Sequence, residues 1–151
     1  MSKVVLLDSG PLGMVTNPKA ASPVHQECQV WLKSLPLKGY IVVLPEIADY
    51  EVRPELNRAG KVAGIQRLEQ LKLQIPYRPI TTETMLLAAQ LWADARRRGI
   101  PTADPKELDG DAILAAQAIL LKNEGNEVVI ATTNVGHLSQ FVDALVWRQI
   151  E

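Results

Sequence analysis

The sequence has one cysteine, few aromatic residues and almost no net charge. The single cysteine, Cys28, excludes an internal disulfide framework and any metal site built from several cysteines, and it suits a reducing cytosol. Seventeen acidic and sixteen basic side chains leave a formal charge of -1, which excludes a strongly basic nucleic-acid coat protein and a disordered acidic tail. A local basic patch could still bind nucleic acid. One Phe, three Trp and three Tyr are too few for a platform that stacks single-stranded bases.

Long apolar segments are missing as well. Only four apolar residues, 4–7, separate Lys3 from Asp8, which is too short for the core of a signal peptide. The most apolar helical segment, 112–121, is too short to span a membrane and contains Gln117. We therefore expect a cytoplasmic protein. With 151 residues, 47% of them hydrophobic, we expect a single domain covering 1–151 with a substantial core.

Strand and helix patterns alternate along the chain. Strands are predicted at 4–7, 40–44, 77–80, 127–133 and 144–148. Helices are predicted at 22–38, 45–60, 62–75, 81–98 and 109–122. Residues 8–11 are predicted to form a turn and 101–108 a polar loop, with Asp109 as the N-cap of the helix that follows. This alternation predicts an α/β fold with a central parallel sheet flanked by helices.

Acidic residues and one amide fall where the predicted strands end or the following helices begin. Asp8 follows the first strand, Glu51 lies in the helix after the second, and Asn134 follows the third strong strand. Asp109 and Asp111 lie at the start of the apolar helix. Ligands of parallel sheets bind at this carboxyl edge. Clustered carboxylates repel one another unless cations neutralise them, and oxygen ligands suit Mg²⁺ or Mn²⁺, which can position water for phosphoryl transfer.

Each of these residues also has a plainer interpretation. Asp8 could cap a turn, and Asp109 an N-terminus. Glu51 has acidic neighbours on its own helix, and Glu55 is an alternative to it. Asn134 is of a type common in turns.

Three consecutive arginines, 96–98, precede Gly99 and form the densest basic run in the chain. They are candidates for RNA contact because a nearly neutral protein needs a local cationic surface to bind phosphates. Their plainer role is to complement the dipole at a helix end. His25 and His137 are expected to be surface or packing residues and not metal ligands.

Four segments together resemble a PIN domain, the metal-dependent ribonuclease fold of bacterial VapC-type toxins. They are VVLLDSG at 4–10, LPEIADYEVRPEL at 44–56, LDGDAILAAQA at 108–118 and VIATTNVGHLSQF at 129–141. The third segment, with its aspartate at Asp111, is the most specific. The resemblance covers nearly the whole chain.

The resemblance implies a three-layer PIN-like fold and a site that holds Mg²⁺ or Mn²⁺. Asp8, Glu51 and Asp111 would be both metal ligands and catalytic residues, with Asn134 or Asp109 in support. A metal-activated water would attack an RNA phosphodiester. Many members of the family are toxins that are neutralised by a small antitoxin and that dimerise. For this chain the implied partners are therefore RNA, an antitoxin and a second copy.

Two other functions remain open on the sequence. Pro54 is expected to kink the helix that carries Glu51, and Asn134 stands where the family often has an acid. Both favour a PIN-fold module that binds RNA or protein with little or no cleavage, and Arg53 is a further candidate for RNA contact.

A phosphoaspartate receiver or a haloacid-dehalogenase-type phosphatase ranks lower. A receiver needs an aspartate ending a middle strand and a lysine after a late one, and neither 44–45 nor 132–133 supplies them. The phosphatase needs a second aspartate where this chain has Gly10.

Overall fold

A computed structural model describes residues 2–17, 22–99 and 105–151, with the backbone alone at 105 and 106. The described residues form a five-stranded, all-parallel sheet in the order β3-β2-β1-β4-β5. The strands are β1 (Lys3–Leu7), β2 (Tyr40–Pro45), β3 (Tyr77–Arg78), β4 (Glu127–Thr132) and β5 (Ala144–Val146). The predicted parallel α/β architecture is confirmed.

Helices cover both faces of the sheet. They are α1 (Ser9–Thr16), α2 (Pro23–Ser34), α3 (Glu46–Arg58), α4 (Val62–Gln74), α5 (Thr82–Arg97) and α6 (Pro105–Asn123). Short 3-10 turns lie at Pro36–Lys38, Leu138–Gln140 and Trp147–Gln149. None of the helices in the described ranges is long and apolar enough to cross a membrane.

Successive side chains of β1 point to opposite faces of the sheet, as a pleated strand requires. Val5 and Leu7 belong to one core cluster, which contains Leu12 of α1. Leu6 belongs to a second cluster, which contains Leu114 of α6. The fold therefore has three layers, with the sheet in the middle.

The strand order places a switch point between β1 and β4. The chain builds β1, β2 and β3 outward on one side and then crosses to add β4 and β5 on the other. In open parallel sheets, the crevice at this point is where ligands bind. Leu7 pairs with Ala131, and the N–H of Asp8 donates to the Ala131 carbonyl at 2.9 Å, so Asp8 lies beside the end of β4.

The predicted turn at 8–11 is wrong, because α1 begins directly at Ser9. Asp8 is its N-cap, and Asp8 Oδ1 accepts a hydrogen bond from the Ser9 N–H at 2.7 Å. The Gly10-Pro11 pair suggested a turn, but proline is tolerated in the first turn of a helix, where an N–H has no helical acceptor.

The prediction that Asp109 is an N-cap is also wrong. Helix α6 begins at Pro105, four residues earlier, so Asp109 lies within the helix. The part of the predicted loop at 101–104 lies outside the described residues. Helix α3 runs from Glu46 to Arg58 with Pro54 inside it, so the proline does not end the helix.

Candidate active site

Asp8 is held at the switch point by two different elements. Its Oδ1 accepts from the Ser9 N–H of α1, and its Oδ2 accepts from the Thr132 hydroxyl at 2.8 Å. Thr132 is the last residue of β4 and is buried. Helix α1 approaches β4 closely, since a Cβ at Gly10 would lie 2.6 Å from the Thr133 side chain. The Asp8 carboxylate is therefore held by a backbone N–H of α1 on one side and by a side-chain hydroxyl of β4 on the other.

Glu51 reaches this edge from α3. Its Oε2 lies 2.9 Å from the point that a Cβ on Gly110 of α6 would occupy. Desolvation, followed by repulsion from Asp8 and Asp111, raises the pKa of Glu51 to about 7. The Glu51 residue is exposed at the surface, so solvent screens much of this repulsion and limits the size of the upward shift.

Asp111 supplies the third carboxylate from α6. Desolvation, with repulsion from Asp8, raises the pKa of Asp111 to about 6, and repulsion from Glu107 adds to the rise. His137 acts in the opposite direction and lowers the pKa of Asp111. The structure thus brings Asp8, Glu51 and Asp111 within electrostatic reach of one another. Acidic groups whose charged forms are destabilised by burial and by neighbouring acids are common at functional sites.

The three acids are the ligand type for a hard divalent cation, but their present arrangement does not form a complete site. Within residues 2–17, 22–99 and 105–151, no group of three or more His, Cys, Asp or Glu side chains is placed so that it could hold a metal ion. The carboxylate oxygens are nevertheless the ligand type that Mg²⁺ and Mn²⁺ prefer. A cation would also relieve the repulsion that raises the pKa of Glu51 and Asp111.

Asp109 lies on a different face of α6 from Asp111. Residues two positions apart in a helix are separated by about 200° around its axis, so Asp109 and Asp111 point to different sides of α6. Asp109 lines a cavity between α5 and α6 together with Met85 and Trp92. The structure does not bring Asp109 to the other acids.

Asn134 closes a turn after β4. Its Oδ1 accepts from the Gly136 N–H at 3.0 Å, and its own N–H donates to Thr132 Oγ1 at 3.2 Å. Its side chain is therefore engaged within its own loop, which matches the plainer interpretation of this residue.

The candidate alternative to Glu51 faces elsewhere. Glu55 is exposed and pairs with Arg58 at 2.5 Å. This favours Glu51, and not Glu55, as the acid that α3 contributes.

The candidate RNA-binding arginines all have partners within the protein. Arg97 forms an ion pair with Asp94, Arg98 Nε donates to the Asp94 carbonyl at 3.3 Å, and the Arg96 guanidinium lies 5.0 Å from the centre of the Trp92 ring.

Arg53 is more firmly engaged, by Asp49 at 2.8 Å and Glu69 at 2.7 Å. The three arginines at 96–98 are exposed, whereas Arg53 is held by two ion pairs within the protein.

Two residues near the acids were not singled out by the sequence. Thr132 holds Asp8, and only the register of β1 against β4 reveals that relation. His137 was expected to be a surface or packing residue, yet it lies close enough to Asp111 to lower the pKa of that carboxyl. Nothing in the local sequence around His137 indicates this proximity.

The fold and its acidic edge define an α/β protein of PIN-like architecture, and solved structures share that architecture. FitAcB from Neisseria gonorrhoeae is similar with a TM-score of 0.70 at 23% identity, covering 97% of this chain and 99% of that one. VapBC2 from Rickettsia felis, bound to a DNA fragment from its promoter, has a TM-score of 0.68 at 11% identity, covering 94% and 97%. VapC20 from Mycobacterium tuberculosis, a sarcin-ricin loop cleaving toxin, has a TM-score of 0.63 at 19% identity, covering 92% and 97%.

No family model matches the sequence, and no curated protein matches it significantly. At these identities the structural similarities establish the fold. The PIN-like fold predicted from the four sequence segments is confirmed.

Proposed function

We propose that residues 1–151 form a single-domain, metal-dependent endoribonuclease that uses Mg²⁺ or Mn²⁺. The observation that carries the proposal is that Asp8, Glu51 and Asp111 lie within electrostatic reach of one another at the switch point, where burial and then repulsion raise the pKa of Glu51 and Asp111. A shared negative field of this kind favours a bound cation. The fold shared with VapC20, a toxin that cleaves a sarcin-ricin loop, supports RNA as the substrate.

The three carboxylates have one task in common in this proposal, which is to hold the cation. A bound cation would stabilise negative charge on the phosphate undergoing attack. Asp8, fixed by the Ser9 N–H and the Thr132 hydroxyl, and Asp111, half-buried on α6, would bind the cation. Glu51, the most exposed of the three, would complete the set of cation ligands from α3.

The proposal extends to partners. Solved structures of this fold include VapBC complexes, two of them bound to DNA. By analogy, we propose that the chain is the toxin of a toxin–antitoxin pair, that a small antitoxin binds it and that it acts in the cytoplasm as a homodimer. The exposed arginines at 96–98 are the proposed RNA contacts, with Arg53 a weaker candidate because of its ion pairs. Asp109 and Asn134 are at most supporting groups.

The test is RNA cleavage by the purified protein with Mg²⁺ or Mn²⁺, compared with excess chelator. Asp8→Asn and Asp111→Asn should each abolish metal-dependent cleavage while the protein stays folded. Glu55→Gln is the matched control, because Glu55 lies on the same helix as Glu51 but pairs with Arg58. Full activity in either aspartate variant, or cleavage that persists in chelator, would contradict the mechanism.

A second candidate function is RNA binding without cleavage. It is favoured by the open arrangement of the acids, which in the described residues do not yet form a set of metal ligands. Retained RNA binding with no cleavage in either metal would support this alternative over the nuclease.

A further inference from the structure

Gly110 lies where α3 and α6 meet, next to the Glu51 carboxylate. A Cβ at this position would lie 2.9 Å from Glu51 Oε2 and 3.6 Å from its Cδ. Ordinary van der Waals contact begins at about 3.4 Å. A side chain of any size at position 110 therefore cannot coexist with Glu51 in its present place.

The backbone itself does not require glycine here. Gly110 is the sixth residue of α6 and is not among the glycines with positive φ, in contrast to Gly60 and Gly99, which both have φ of 64°. Glycine inside a helix is less stable than alanine, because it loses more conformational freedom on folding. Its presence in α6 thus weakens the helix and makes room for the Glu51 carboxylate.

Contacts on two sides hold helix α3 in place against α6. Gln117, which is 0% exposed, accepts from the Ile47 N–H of α3 at 3.4 Å through Oε1 and donates to the Arg78 carbonyl at 2.8 Å through Nε2. On its other side α3 is held to α4, since Asp49 pairs with Lys72 at 3.5 Å. A methyl group at position 110 would therefore displace the flexible end of Glu51, and the helices would stay in place.

We propose that Gly110 is a positioning residue that sets where the Glu51 carboxylate lies relative to Asp111. The expected effect of Gly110 on cation binding rests on the proposed function. Its expected effect on the position of the Glu51 carboxylate does not. The substrate does not contact Gly110 in this proposal, and its effect passes entirely through Glu51.

The test is the variant Gly110→Ala, studied without metal by crystallography and thermal melting and then with Mn²⁺ by calorimetry. In the metal-free crystal structure the Glu51 carboxylate should move by at least about 0.5 Å, the difference between the 2.9 Å approach and ordinary contact. The melting temperature should stay level or rise by about 2 °C, because alanine is the better helix former. Mn²⁺ affinity should fall by about 10- to 100-fold, as is typical when the support of a metal ligand is lost.

Gly13→Ala is the matched control. Gly13 also lies inside a helix, but a Cβ there would meet no neighbouring atom of the described residues within 4 Å. This variant should gain similar thermal stability and bind Mn²⁺ as the parent does. A Glu51→Ala background supplies the second control, since Gly110→Ala should then cause no further loss of Mn²⁺ affinity.

The possible outcomes separate the two proposals. An unmoved Glu51 carboxylate in Gly110→Ala, or a melting temperature lowered relative to Gly13→Ala, overturns the positioning role. Unchanged Mn²⁺ affinity in a parent protein that binds Mn²⁺ overturns it as well. If the parent binds no Mn²⁺, the metal-dependent nuclease fails, and the position of the Glu51 carboxylate in the two metal-free crystal structures alone decides the role of Gly110.

Discussion

Replacing Asp111 by asparagine should stabilise the metal-free protein at neutral pH. The pKa of Asp111 is raised from 3.8 to about 6 by desolvation and by repulsion from Asp8. Each pKa unit corresponds to about 1.4 kcal/mol, so ionising this group in the folded state costs at most about 3 kcal/mol relative to the unfolded chain. Asp111 is only half-buried and salt screens part of the repulsion, which reduces the expected gain to about 1–2 kcal/mol.

The pH window follows from the direction of the shift. A raised folded-state pKa means that the folded protein binds the proton more tightly than the unfolded chain does. The penalty is therefore absent below about pH 4, grows as the pH rises towards about 6 and is complete above it. Urea unfolding in chelator at about pH 4 and about pH 8 measures it, and Asp111→Asn should exceed the parent in stability only at the higher pH.

Addition of Mn²⁺ provides the internal control. Because a cation bound to the folded state stabilises it by mass action, Mn²⁺ should raise the stability of the parent and leave that of Asp111→Asn nearly unchanged. An Asp111→Asn protein that is less stable than the parent at both pH values, in chelator, would refute the reasoning. It would show that the carboxylate serves the fold.

Three further outcomes are expected. Mn²⁺ affinity should increase as the pH rises through about 6 to 7, since Glu51 and Asp111 must lose protons to bind a cation, and calorimetry at several pH values measures this. Gln117→Met should lower the free energy of unfolding by about 1–3 kcal/mol in urea, because it leaves the buried Ile47 N–H and the partly buried Arg78 carbonyl without their Gln117 partner. Replacing the arginines at 96–98 by glutamine should weaken RNA binding and flatten its salt dependence; normal binding at every salt concentration would place the RNA elsewhere.

The elements that carry strong local signals are the ones that the sequence predicts well. The apolar runs at 4–7, 40–44 and 127–133 became neighbouring strands, because short runs of β-branched and leucine residues must be buried on both faces of a parallel sheet. The threonine cap before α5 likewise forms, with the Thr81 side chain accepting from the Thr84 N–H. Glycine and proline are common both in turns and at helix starts, so Gly10-Pro11 led to the wrong prediction of a turn where α1 begins.

The approximate place of the site follows from strand order, but the identity of its members does not. Asp8 could be predicted to lie at the sheet edge because it directly follows a buried strand. Glu51 and Glu55 share a helix, and only the packing of α3 on Gly110 decides which of them reaches the edge. The 109–111 pair is ambiguous as well, since buried residues lie on most sides of α6 and its sequence does not show which of the two acids meets Asp8.

The bond between Thr132 and Asp8 joins residues 124 positions apart in the chain. A ribosome makes the Asp8 end first, and domains assemble as their parts emerge. The β4 strand that completes the edge beside Asp8 is made only after the ribosome has added the residues up to Thr132. A nascent chain that stops before Thr132 therefore lacks the hydroxyl that holds the Asp8 carboxylate, and it cannot act through this site.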